Sequence, residues 1–169
     1  NSGGARALKY GVTKDYVLNL EVVLPTGDII WTGANTLKNS TGYNLTQLMV
    51  GSEGTLGIVT KIVLKLLPQN KHNVLLLVPF YKAEQACEAV SVIFRAGIVP
   101  SALEFMERDA IDWTLKFVDG LNVEVKDNVQ AHLLIEVDGN YPEILMQEAE
   151  KILEVVEQFE IDEVLFADT

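Results

Sequence analysis

Three glycines at intervals of three, Gly51, Gly54 and Gly57, punctuate the run Gly51-Ser52-Glu53-Gly54-Thr55-Leu56-Gly57-Ile58-Val59-Thr60. Glycine admits positive φ and carries no Cβ, so backbone N–H groups in such a loop can converge on a ligand that a side chain would hold off. The chemistry within reach is binding of a flat or anionic group against the backbone. The same residues also suit a tight turn before a strand, and the pattern alone leaves both readings open. A second small-residue stretch, Asn1-Ser2-Gly3-Gly4-Ala5, runs into Arg6-Ala7-Leu8-Lys9-Tyr10-Gly11, expected to be a short helix ending at Gly11. A glycine-rich loop leading into a helix start is a second candidate anion contact. Neither stretch has the spacing of G-x-G-x-x-G or G-x-x-x-x-G-K-[ST].

Other reactive residue types are sparse. Cys87 is the single cysteine, which excludes an internal disulfide and a thiolate metal cluster and fits a reducing compartment. His72 and His132 stand sixty positions apart with no second ligand at metal spacing, so both are expected in structural or surface roles. No histidine lies near a serine or threonine in a loop context, and no catalytic residue is assigned. Asp138-Gly139-Asn140 reads as a turn closing a strand.

A chain of 169 residues, 49% hydrophobic, can bury a core as one domain or two small ones. It has no run of eighteen apolar residues and no leader pattern at its start, so it is expected to be soluble and cytoplasmic, without a transmembrane segment. Opening at Asn1 inside a glycine-rich segment, it reads as a piece of something longer. Charge divides near position 70: residues 1–71 carry seven basic and four acidic residues, net +3, and residues 72–169 six and twenty, net −14. The acidic second half argues against nucleic acid as a partner. Its carboxylates are expected on solvated helix surfaces.

The elements that must position the two loops follow from periodicity. Alternation over 16–32 with Pro25-Thr26-Gly27-Asp28 at its centre predicts a β-hairpin. Asn44 can cap a short helix through Met49, and 57–67 is expected to be a buried strand. Pro68-Gln69-Asn70-Lys71 breaks the pattern. Strands at 74–80, 102–106, 132–137 and 163–167 then alternate with helices at 82–96, 109–117 and 142–159, a polar loop following the 109–117 helix. In the first long helix Ala86, Val90, Ile93 and Phe94 form the expected core stripe; in the last it is Leu145, Ala149, Ile152, Leu153, Val156 and Phe159. That order suits a ferredoxin-like sandwich with an antiparallel sheet.

Four blocks, Asn-Ser-Gly-Gly-x-Arg-Ala-x-Lys-Tyr-Gly at 1–11, Leu-Glu-Val-Val-Leu-Pro-x-Gly at 20–27, Lys-Asn-x-x-Gly-Tyr-Asn-Leu at 38–45 and the 51–60 loop, occur in an order that resembles the FAD-linked 2-hydroxyacid oxidases and dehydrogenases. These are the glycolate oxidase D subunit and D-lactate dehydrogenase group of the vanillyl-alcohol oxidase/p-cresol methylhydroxylase type. The resemblance is close over 1–67 and rests on position and topology over 72–169. It implies an α+β chain in which residues 1–68 are the second part of a two-subdomain FAD-binding domain and 72–169 the first part of a ferredoxin-like cap domain. It further implies that Asn1, Ser2, Gly3 and Gly4 approach the flavin and pyrophosphate, that Tyr10 and Gly11 line the same site, and that Glu53, Gly54, Gly57, Ile58 and Val59 hold FAD through backbone contacts. The implied substrate is a small 2-hydroxy acid, glycolate or D-lactate, with a partner subunit or electron acceptor as further partner. The family's His-x-Gly-Asp-Gly-Asn motif is absent: Ile135 and Val137 stand where its His and Gly would be. The chain on its own is therefore expected to be inactive. The alternative is a non-catalytic acidic protein-interaction module.

Overall fold

A computed structural model describes residues 1–120 and 124–168. The polar loop expected after the 109–117 helix falls partly on 121–123, and the expected cap domain ends on Thr169; these positions lie outside the described residues. The chain divides into two compact units, one of Asn1–Gly4 with Gly11–Gln69 and one of Ala5–Tyr10 with Asn70–Thr169.

The first element of the chain, α1 (Ala7–Tyr10), belongs to the second unit. The first unit holds β1 (Val17–Val23), β2 (Ile29–Trp31), α2 (Leu45–Met49) and β3 (Ile58–Leu64), with a single 3₁₀ turn at Thr13–Asp15. Its sheet has the order β2-β1-β3 and both pairings are antiparallel. The hairpin turns at Gly27, whose φ of +88° needs a residue without Cβ, while Leu24 N–H donates to the Asp28 carbonyl at 2.9 Å. Asn44 caps α2 by accepting from Gln47 N–H at 3.0 Å.

A buried polar network fastens the 32–46 segment to β1. Asn19 Oδ1 accepts from Leu20 N–H at 2.9 Å and Gly33 N–H at 2.7 Å, and its amide donates to Asn35 Oδ1 at 2.9 Å. Thr32 and Thr46 share a hydroxyl hydrogen bond of 2.8 Å below the surface. In β3 the structure departs from expectation. The strand is exposed, Ile58 by 68%, Ile62 by 58% and Leu64 by 52%, because it pairs along one edge with β1 and the one described helix of this unit, α2, packs on β1 instead. Apolar content marks surface that can be buried, not surface that is.

The second unit places β4 (His72–Phe80), α3 (Ala83–Arg95), β5 (Ala102–Glu107), α4 (Arg108–Phe117), β6 (Ala131–Gly139), α5 (Pro142–Val156) and β7 (Leu165–Asp168) after α1. The sheet order is β5-β6-β4-β7 with every pair antiparallel. Alternate residues Leu76, Val78 and Phe80 of β4 and Leu133 and Ile135 of β6 are fully buried against Ala86, Ala89 and Ile93 of α3 and Ile152 and Val156 of α5. Full burial of each larger side chain contributes about 1.5–3 kcal/mol.

Two helical stripes need correction. In α3 Phe94 is exposed and Ala89 takes the core position, since Ala86, Ala89 and Ile93 follow one face at spacings of three and four. Helix α5 ends at Val156 and buries Val155; Phe159 lies beyond the helix, its ring 6.2 Å from that of Phe80. A third correction concerns Asp138, which is not a turn residue. It lies inside β6 opposite Asn73 and is buried.

Candidate functional site

Within the first unit hydrogen bonds hold the N-terminal residues to the 3₁₀ turn. Thr13 donates to the Ser2 carbonyl through N–H at 3.2 Å and through its hydroxyl at 3.0 Å, and Lys14 N–H donates to Asn1 Oδ1 at 2.9 Å. Asn1 also lies beside the other glycine loop: a Cβ built on Gly51 would stand 3.4 Å from Asn1 Cβ. Two stretches far apart in sequence are thus neighbours.

The 51–57 loop is shaped by its own backbone. Ser52 N–H donates to Met49 O at 3.1 Å, and Thr55 donates to Ser52 O through N–H at 3.0 Å and through its hydroxyl at 2.7 Å. At the tip Glu53 and Gly54 have φ of +52° and +79°. Glu53 is the one non-glycine among the described residues with positive φ, a conformation that costs about 1–2 kcal/mol and collects at functional sites. The N–H groups of Gly3, Gly4, Glu53 and Gly54 have no acceptor among the described residues, and a Cβ on Gly4 or Gly54 would meet nothing within 4 Å. The turn and ligand readings of this loop are compatible: it is a tight turn, and its tip leaves donors open.

A groove of about 400 Å³ runs along the loop, lined by Val17, Leu20, Val50, Gly51–Gly54, Gly57, Ile58, Val59 and Ile62. Its walls are mainly apolar and open donors stand at its rim, a donor set suited to a flat ring system carrying an anionic tail. Gly57 answers a different demand. A Cβ there would lie 2.6 Å from Val22 Cγ1 and 2.8 Å from the Val23 carbonyl oxygen, so strand packing requires glycine with or without a ligand.

Gly11 ends α1 with φ of +82°, and Asp15 accepts from Val12 N–H at 2.7 Å just beyond it. The expected anion site at the helix start is not carried by α1, which is one turn of four residues and too short for an aligned dipole. Its side chains meet carboxylates. Tyr10 belongs to the second unit, where its hydroxyl donates to Asp138 Oδ2 at 2.5 Å and accepts from Asn70 Nδ2 at 2.8 Å. Lys9 Nζ donates to Asp138 Oδ1 at 2.6 Å, and Arg6 pairs with Glu136. Burial pushes the Asp138 carboxyl up, but hydrogen bonds from Lys9, Tyr10 and Asn70 outweigh it and hold the group below its ordinary value. The signal for this cluster was in the sequence: Glu136 and Asp138 alternate with Ile135 and Val137, so they sit on the face of β6 away from the core.

His132 shares that face and is buried, with no hydrogen-bond partner for Nδ1 among the described residues. Burial, and then the Arg108 charge, lower its pKa. The structure therefore gives His132 a buried position, and His72 an exposed one. Among the described residues no group of three or more His, Cys, Asp or Glu side chains is arranged to hold a metal ion. Among them also no helix is long and apolar enough to cross a membrane.

Residues 69–169 match the sequence family described as FAD linked oxidases, C-terminal domain. A D-lactate dehydrogenase of Anaerostipes hadrus is 44% identical over 173 aligned residues, covering 100% of this chain and 36% of that protein. The glycolate oxidase subunit GlcD of Bacillus subtilis (strain 168) is 46% identical over 152 residues, covering 90% of this chain and 32% of its own length. The chain thus spans about a third of the curated relatives it matches. Among solved structures an alkyldihydroxyacetonephosphate synthase superimposes with a TM-score of 0.70 at 20% identity, over 95% of this chain and 31% of that one, a likeness of fold.

Proposed function

The chain belongs to the FAD-linked oxidases by their C-terminal domain, and from that premise we propose that it is part of a flavoenzyme oxidising a small D-2-hydroxy acid, glycolate or D-lactate, to the 2-oxo acid. The observation that carries the reading is the juxtaposition of Asn1 with Gly51 beside a mainly apolar groove, with open donors on both loops. In this reading Asn1, Ser2, Gly3, Gly4, Gly11, Glu53, Gly54, Gly57, Ile58 and Val59 contribute to the FAD cradle. The N–H groups at 3–4 and 53–54 would meet phosphate or ring oxygens, and Ile58 and Val59 would offer apolar surface to a flat ring. Bound FAD supplies the acceptor for the hydride leaving the α-carbon. The chain's own part is to bind, orient and keep water away from that group. Among the described residues no base is assigned to the substrate hydroxyl.

The finer domain reading belongs to the same proposal. Residues 1–68 would form the second part of the FAD-binding domain, and 72–169 the first part of a cap, for which the order β5-β6-β4-β7 with two helices against one face supports a ferredoxin-like description. A cytoplasmic setting suits the single, exposed Cys87.

Flavin fluorescence tests the proposal. The intact flavoprotein should purify yellow and lose FAD when Gly54 is replaced by valine; a colourless preparation overturns the cofactor reading. The 169-residue chain alone should show no saturable sub-micromolar quenching, since losing about 4 kcal/mol of enclosure weakens binding about a thousandfold.

A further inference from the structure

We infer that Asp138 is a positioning residue for Tyr10, holding the phenol and the α1 turn in one orientation on the sheet of the second unit. Tyr10 is half-buried and gives its hydroxyl proton to Asp138 Oδ2, while Asn70 Nδ2 donates to the same hydroxyl at 2.8 Å. The hydroxyl proton and an acceptor lone pair are thereby both used, which fixes where the phenol oxygen sits. Lys9 closes the arrangement, with Nζ 2.6 Å from Asp138 Oδ1, 3.0 Å from the Asp138 carbonyl and 5.7 Å from the Tyr10 ring centre.

The carboxylate is built to stay ionised. Its side chain is 2% exposed, and a buried charge of this kind is retained only when paired and hydrogen-bonded on both oxygens. The charged and titratable groups facing it are Arg6 just ahead of α1, Lys9 and Tyr10 within α1, and Glu136 from its own strand. Its partner on β4 is the uncharged Asn73. Arg6 lies 3.8 Å from Oδ2 and is itself paired with Glu136, so cations and carboxylates are matched two by two. A network satisfied in this way rigidifies what it holds. What it holds here is a one-turn helix that could not persist by helix propensity alone. A tyrosine set in this manner is ordered before anything binds.

The experiment uses the chain without flavin, so its failure would leave the cofactor reading standing, and failure of that reading would leave this result interpretable. Tyrosine labelled at Cζ reports the phenol hydrogen bond by NMR, and amide hydrogen exchange reports α1. In Asp138→Asn the Tyr10 Cζ signal should move and the Tyr10 amide exchange about tenfold faster, while the Leu76 and Ile135 amides keep their protection. Asn70→Ala, which keeps the carboxylate and its bonds from Lys9 and Tyr10, should move the same Tyr10 signal by a smaller amount. In the unmodified chain the signal should stay flat from about pH 7 to about pH 4, because the carboxyl remains ionised through the range where an ordinary aspartate begins to titrate. A Tyr10 signal unchanged in both variants, or one that titrates in the unmodified chain between about pH 5 and about pH 4, overturns the inference.

Discussion

Gly57 packs so closely on Val22 that a Cβ on the glycine would stand 2.6 Å from Val22 Cγ1 and 2.8 Å from the Val23 carbonyl oxygen. Gly57→Ala should therefore destabilise the flavin-free chain, by about 1–3 kcal/mol as for other overpacked sites. Urea unfolding followed by far-ultraviolet circular dichroism measures it. An unchanged midpoint would mean that β3 shifts without cost.

Gly54 has open space around it and a φ of +79°. Gly54→Ala should cost about 1 kcal/mol through backbone conformation alone, and Gly54→Asn less, because asparagine tolerates the left-handed region. The two glycines of one motif thus separate: Gly57 answers to strand packing, and Gly54 leaves its space to a ligand. Equal losses for Gly54→Ala and Gly54→Asn in the same unfolding assay would remove the conformational explanation.

Asn19 Oδ1 is the acceptor for the N–H groups of both Leu20 and Gly33. Asn19→Ala leaves the partly buried Gly33 N–H without its acceptor and should cost about 0.5–1.5 kcal/mol, while Leu20 N–H retains the Thr32 hydroxyl at 3.2 Å. Exchange of the Gly33 amide should accelerate more than that of Leu20. The reverse order would contradict the network.

His132 makes stability depend on pH. Its pKa in the folded chain is lowered from the ordinary 6.5 by burial, then by Arg108, so the unfolded chain binds its proton first on acidification. Stability from this residue is complete above 6.5 and falls as pH drops from there toward the folded value. Urea unfolding of His132→Leu beside the unmodified chain, from about pH 7.5 to about pH 5, should show a shallower acid slope in the variant. Equal slopes would mean that the ring is solvated.

Limited proteolysis should cut first at 68–71, where Pro68 follows β3 and the residues up to Gln69 are exposed. First cleavage inside α3 or α5 would place the proposed boundary wrongly.

By itself the sequence determined every element whose signal is local. The strand at 132–137 and the helix beginning at Pro142 were legible, although periodicity carried that helix to 159 and it ends at Val156; Asn44 marked a helix start, and Gly27 a hairpin. The glycine spacing at 51–57 marked a close-approach loop, and four blocks in order carried the family resemblance. Tertiary structure alone decided which apolar faces are covered. Strand β3 has the composition of a buried strand yet is exposed, because burial depends on what packs across it and local pattern carries no record of that. It also decided the partners of charged groups. Lys9 and Asp138 meet across 129 positions, Gly33 depends on Asn19, and Gly57 on Val22. Such pairings are set by strand register and chain return, which act at distances that no window of the sequence spans.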